Sequence, residues 1–122
     1  MITNNPAVHR EYSGLIETVY LEGADLKDVL FFARDKIHLG HRLLTHPLSG
    51  SVKPGRTRYK SILITKGKDV LDYDSLRIIE ESTTAANEQM KITENQDKCD
   101  RFSEDYQAID LALTSSDMIE RR

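Results

Sequence analysis

Apolar side chains recur along this chain in two patterns: a helical stripe in three long segments and a short unbroken run in four others. Leu26, Val29, Leu30, Ala33 and Ile37 share one face of a helix predicted from about Asp25 to Leu39. Asp25 is its candidate N-cap, since a carboxylate there accepts from the free N–H groups of the first turn, and Gly40 supplies the stop. Leu76, Ile79, Thr83, Ala86 and Met90 form the same stripe on a second helix, capped by Asp72 or Asp74 and running to about Ile92. Phe102, Tyr106, Ile109 and Leu113 mark a last helix, with the tail from Thr114 expected to fray.

The short runs predict strands. Met1–Thr3 is stopped by Asn4-Asn5-Pro6, and Glu17–Leu21 is β-branched and aromatic. Arg42–Thr45 is broken by Pro47, and Ser61–Thr65 completes the set. Pro6 disfavours helix at Asn5 but can open one itself, so Pro6–Tyr12 is predicted as a short helix ending near Gly14. The order β, short α, β, α, β, long loop, β, α, α predicts one three-layer α/β domain over residues 1–122. Its sheet is expected to be small, four-stranded and mostly parallel, flanked by helices. The connection from Thr45 to Ser61 has no helical pattern, which favours a last strand antiparallel to its predecessor and hence a mixed sheet. Residues 93–100 form a polar linker before the C-terminal helix.

Composition narrows the function classes. A hydrophobic fraction of 39% and a charged fraction of 30% in 122 residues suit one small core with polar flanks. Cys99 is the single cysteine, so the chain has no internal disulfide and no CxxC pattern, and Asp97 and Asp100 beside it disfavour a thiolate. Neither a signal-peptide core nor a membrane-length apolar run is present, which predicts a soluble cytoplasmic protein with no membrane contact. The net charge of −3 hides an asymmetry. Residues 34–68 hold nine basic side chains against Asp35 alone, whereas residues 1–33 and 69–122 are both acidic. A basic middle favours an anionic ligand or an acidic partner, unless the segments neutralise one another within the fold.

The candidate chemistry lies between His46 and Tyr59. In open α/β sheets, ligands sit beyond the carboxyl ends of the strands. With Met1–Thr3 and Arg42–Thr45 parallel, the turns at Thr3-Asn4-Asn5 and Thr45-His46-Pro47 emerge on one edge. There Asn4, Asn5, Thr45 and His46 are expected to reach one small molecule. Ser49, Gly50 and Ser51 offer N–H groups, hydroxyls and close approach, Lys53, Arg56 and Arg58 add cations, and Tyr59 adds an aromatic face. Pro47 and Pro54 stiffen the loop and lower the entropy lost on binding. The sum is an anion cradle for a carboxylate, phosphate or sulfate. The competing account is a loop that only folds over an apolar face.

Other chemistries fit less well. The loop is not a Walker A motif, and there is no GxGxxG, so no cofactor is expected. His41 and His46 stand in neither HxH nor HExxH, so no metal site is expected. His46 is the candidate general acid or base, against the plainer role of bonding to a neighbouring turn. His9 and His38 are expected on the surface. Ser49 or Ser51 with His46 as base would make a hydrolase, but no GxSxG elbow exists. Nucleic acid ranks last, since Tyr59 is the only stacking group in the basic stretch and the rest of the chain is acidic.

The blocks TNNP at 3–6, GHRLLTHPLSGSVKP at 40–54, YKSILI at 59–64 and DYQAIDLAL at 105–113 together resemble the GrdX family. These small proteins are encoded with the selenium-dependent glycine, sarcosine and betaine reductase systems of anaerobic bacteria. The resemblance spans nearly the whole chain in the same order and transfers no catalytic residues. It implies an accessory or regulatory role beside reductase subunits, here joined to the anion-binding loop. Two alternatives stay open: a small acyl- or phosphate-transfer enzyme using His46, and a basic module that docks on an acidic face of a partner.

Overall fold

A computed structural model describes the backbone of residues 1–48, 59–93 and 103–120, and the side chains of 1–48, 59–88 and 104–116. Three short strands form a mixed sheet in the order β2-β1-β3. The first, β1 (Ile2–Thr3), pairs in parallel with β2 (Val19–Tyr20) and antiparallel with β3 (Ser61–Ile62). Four strands were expected, and the Arg42–Thr45 segment falls short of one. It makes a single antiparallel bridge, Leu43 to Ile64, flanked by Leu44 N–H donating to the Leu63 carbonyl (2.8 Å) and Thr65 N–H to that of Arg42 (2.9 Å). Side-chain hydroxyls take the neighbouring amides: Arg42 N–H donates to Thr65 Oγ1 (2.9 Å), Leu43 N–H to Ser75 Oγ (3.0 Å) and Leu63 N–H to Thr45 Oγ1 (3.1 Å). The bonds at Arg42 and Leu63 replace ladder bonds, so pairing stops after one residue, while Ser75 takes the Leu43 amide that points away from the bridge. The bridge also runs the last strand antiparallel to its predecessor, as a connection without a helix suggested.

Side chains alternate across a strand, and here the alternation divides the molecule. Ile2 and Ile62 pair across β1 and β3 and enter the apolar core with Leu26, Val29, Leu30, Ala33, Ile37, Ile79 and Ala86. Thr3 and Ser61, the adjacent pair, lie on the opposite face and meet the C-terminal helix. Two helices therefore cover one face and two the other, giving three layers.

The apolar layer follows the predicted stripes. Helix α2 (Leu26–His38) buries all five expected residues. It opens on a reciprocal capping box: Asp28 N–H donates to Asp25 Oδ1 (3.0 Å) and Asp25 N–H to Asp28 Oδ2 (3.2 Å). Gly40 ends it at φ +109°, and a Cβ there would lie 2.2 Å from the Asp69 carbonyl oxygen. Both the backbone conformation and the contact require glycine. Helix α3 (Tyr73–Thr93) packs on α2 through Ile79, Thr83 and Ala86. Of its two candidate caps, Asp72 serves, accepting from Ser75 N–H at 3.1 Å and from the Ser75 hydroxyl at 2.5 Å. The hydroxyl bond, together with the Ser75 N–H and the Arg42 guanidinium, holds the Asp72 carboxyl below its ordinary range.

On the second face, helix α1 (Pro6–Tyr12) packs against helix α4 (Ser103–Glu120). Two expectations fail here. The helix does not fray at Thr114: that residue is buried and its hydroxyl donates to the Asp110 carbonyl (2.8 Å). Ser115 then bonds Tyr12 through their hydroxyls (2.7 Å). The buried face is also turned from the expected stripe, since Ile109 is 38% exposed and Asp110 only 6%. Hydrogen bonds, described next, outweigh the apolar pattern. The expected linker, from residue 94 onward, and Cys99 and Phe102 lie outside the described residues.

Candidate functional site

The strand register places the two polar turns. Both β1 and the Leu43 segment run antiparallel to residues 61–64, so they are parallel to each other and head toward the Tyr59–Lys60 end. Asn4 and Asn5 leave β1 at that edge, Thr45 and His46 leave the neighbouring segment there, and residues 59–63 lie between them. Asn4 Oδ1 accepts from Lys60 N–H (2.9 Å), while its Nδ2 donates to the Ala24 carbonyl (2.8 Å). Thr45 is turned to Leu63, and His46, exposed, accepts from Leu48 N–H through Nδ1 (3.1 Å). Tyr59 is buried, with its hydroxyl accepting from Gln107 Nε2 (3.1 Å). Ser49, Gly50, Ser51, Lys53, Arg56 and Arg58 lie outside the described residues, but both stems of their loop, Leu48 and Tyr59, start from this edge.

Asn5 joins the edge to α4. Its Oδ1 accepts from Ala7 N–H (2.9 Å), capping α1, while its Nδ2 donates to the Gln107 carbonyl (3.0 Å) and to Asp110 Oδ2 (3.0 Å). The same carboxylate oxygen accepts from Ser61 Oγ (2.8 Å). Ser61 has one hydroxyl proton and gives it to Asp110, so the 2.7 Å contact with Thr3 is donated by Thr3. Thr3 Oγ1 in turn accepts from Asn5 N–H (3.0 Å). A closed ring results: Asn5 to Thr3 to Ser61 to Asp110 and back to Asn5. All four residues are buried, and buried polar groups of this kind persist only when each is satisfied.

Thr3 was expected at this edge as part of its turn, whereas Ser61, Gln107 and Asp110 were not. The signal for Thr3 and Ser61 was the period-two alternation of Ile2 with Thr3 and of Ser61 with Ile62, which puts two hydroxyls on one face; Gln107 and Asp110 had none. His9 also departs from expectation. It stacks on Tyr20 (ring centroids 4.2 Å apart, planes at 7°), and its Nδ1 is buried with no hydrogen-bond partner among the described residues. Burial first, then the charge of Glu22, pushes the Tyr20 phenol up. His38 is exposed beside Glu80 (3.5 Å), on the surface as expected. His41 is buried at the end of α2, its Nδ1 2.7 Å from the Thr65 carbonyl.

Among the described residues, no three His, Cys, Asp or Glu side chains gather as metal ligands. Nor is any helix of the described residues long and apolar enough to cross a membrane. The fold and this edge define a small α/β domain whose mixed sheet, covered on both faces, roots a basic loop at the carboxyl end of β1. The chain belongs to the GrdX-like protein family, whose family model matches residues 1–119. No curated protein and no solved structure matches it.

Proposed function

We propose that this protein is a non-enzymatic accessory or regulatory component of a glycine-, sarcosine- or betaine-type reductase system in the cytoplasm of anaerobic bacteria. In this reading it binds a small carboxylate or acyl phosphate at the carboxyl edge of its sheet and works beside the reductase subunits. Ser49, Gly50 and Ser51 cradle the anion, while Lys53 with Arg56 or Arg58 neutralises it. Thr45, His46 and Tyr59 border the site. Asn4 and Asn5 hold the edge in shape through the bonds described above. Family membership supports the setting. The observation that supports the site is the tie of one loop stem to Asn4, with Lys60 N–H bonded to its side chain, while the other stem leaves the parallel Leu43 segment at the same edge.

The test is thermal unfolding of the whole chain with phosphate, acetyl phosphate, glycine or betaine. A ligand at about 100 times its Kd stabilises by about 2.7 kcal/mol, a shift of several degrees for a chain this size. The stabilisation is expected to vanish when Lys53, Arg56 and Arg58 are changed together to Gln. No shift with any of the four compounds, or an unchanged shift in the triple variant, would defeat the reading.

A further inference from the structure

At the opposite edge of the sheet, where β1 and β2 begin, Met1, Glu17, Lys36, His41 and Lys66 line a half-open cleft of about 100 Å³. His41 is only 8% exposed, and its ring has a fixed orientation. The Thr65 carbonyl can only accept, so the 2.7 Å contact places a proton on Nδ1 and leaves Nε2 of the neutral ring as a lone-pair acceptor. Among the described residues Nε2 has no hydrogen-bond partner, and buried polar atoms without one are limited there to His9 Nδ1. Nε2 is therefore open to the cleft that His41 lines. An unused acceptor in a cationic cleft selects a ligand that brings its own proton donor.

The cations are equally uncommitted. Lys36 lies over the Phe32 ring, 5.4 Å from the centroid, and among the described residues neither it nor Lys66 has an ion-pair partner. The Met1 ammonium donates one N–H to the Glu17 carbonyl (2.8 Å), which leaves it two more. Burial lowers this amine below its ordinary 8.0, and the Glu17 charge opposes that fall. With all three amines protonated against the Glu17 carboxylate, the cleft carries an excess of two positive charges.

We infer that this cleft binds inorganic hydrogen phosphate, with its P–OH donating to His41 Nε2 and its other oxygens accepting from Met1, Lys36 and Lys66. The ligand must combine negative charge with a proton donor. Carboxylates and sulfate have no donor at neutral pH, so each sets an oxygen lone pair against that of Nε2. A phosphate monoester has the same fault, since its second pKa is about 6. Inorganic phosphate keeps a P–OH as monoanion and as dianion, and the dianion matches the charge excess. Its unprotonated oxygens take charge-assisted bonds from the amines. The volume, a few waters at ~30 Å³ each, suits a single small oxyanion.

The experiment titrates the isotope-labelled full chain with sodium phosphate at constant ionic strength and about pH 7.5, where an ordinary histidine is neutral. NMR follows the His41 ring nitrogens and the backbone amides of Val19, Ile64 and Lys66. Saturable shifts are expected at all of them. Sodium sulfate and phenyl phosphate should bind at least about tenfold more weakly, and K36Q/K66Q should weaken phosphate by at least about tenfold, equal to ~1.4 kcal/mol. The amide spectrum of the double variant reports whether its fold is kept, and the sulfate comparison needs no variant. Phosphate shifts absent from these positions, sulfate or phenyl phosphate binding as tightly as phosphate, or an unchanged affinity in the folded double variant would each overturn the assignment. The same shifts are expected in the triple variant at Lys53, Arg56 and Arg58, whose changes belong to the loop rooted at the other edge. Failure of the cleft and failure of the loop site are thus read separately.

Discussion

Replacing Asp110 by Ala tests the polar layer at its centre. The carboxylate accepts from Asn5 Nδ2 and Ser61 Oγ, and the residue is 6% exposed. Removing it strands two buried donors, each worth about 1–3 kcal/mol when left unsatisfied. Asn5 keeps its bond to the Gln107 carbonyl, and Ser61 can turn its proton back toward Thr3, so neither loss is complete. The expected cost is therefore about 3 kcal/mol rather than the sum of the maxima. With a urea slope of about 2 kcal/mol per molar, the unfolding midpoint falls by about 1.5 M. Asp105→Ala, an exposed site on the same helix, should change stability by less than about 0.5 kcal/mol. The partnership itself is read from a double-mutant cycle with Ser61→Ala, which should return a coupling of at least about 0.5 kcal/mol. A loss below about 0.5 kcal/mol for Asp110→Ala, or no coupling to Ser61, would refute the ring as a stabilising unit.

Three further outcomes follow from the apolar layer and its caps. Gly40→Ala forces a side chain into positive φ and against the Asp69 backbone, so it should cost at least about 2 kcal/mol by thermal unfolding, whereas Gly14→Ala, with open space around it, should be close to neutral. Leu30→Ala empties a fully buried core position and should cost about 2–5 kcal/mol in urea. Asp72 has a folded pKa below its ordinary 3.8, so its contribution is whole above that pH and is lost as pH falls through the lowered value. The urea-midpoint gap between wild type and Asp72→Ala should accordingly be widest near neutrality and close in acid; a gap constant from about pH 7 to about pH 2 would contradict this.

The apolar half of the fold was legible in the sequence because burial there follows one simple rule. The α2 stripe, its Asp25 cap and its Gly40 stop all appear as pattern and propensity, and Pro6 marks the start of α1. The polar half follows pairwise geometry instead. Nothing in the spacing of Tyr106, Ile109 and Leu113 says that Asp110 will turn inward, because its partners Asn5 and Ser61 are 105 and 49 residues away. The fourth strand was overread for a related reason: hydroxyls of Thr45 and Thr65 intercept amides that an apolar run suggests will ladder. At the carboxyl edge, the parallel course of the two turns could be anticipated from element order. The engagement of Asn4 with Lys60 and Ala24 could not, since it depends on which loops return to that edge. The burial of His41 was hidden because its hydrogen bond is to a carbonyl 24 residues away.

Two-residue strands hold few ladder bonds, so they do little to fix their own alignment. The ring through Thr3, Ser61, Asp110 and Asn5 does that work as a lock and key for register. Sliding β3 by one position against β1 would bring Ile62 against the Asp110 carboxylate and push Ser61 among Leu30, Ile37 and Ile79. Both errors are costly, one by leaving buried donors and acceptors bare and the other by burying a hydroxyl without a partner. The polar layer thus makes misalignment more expensive than an all-apolar layer would, and a sheet this small can keep a single pairing.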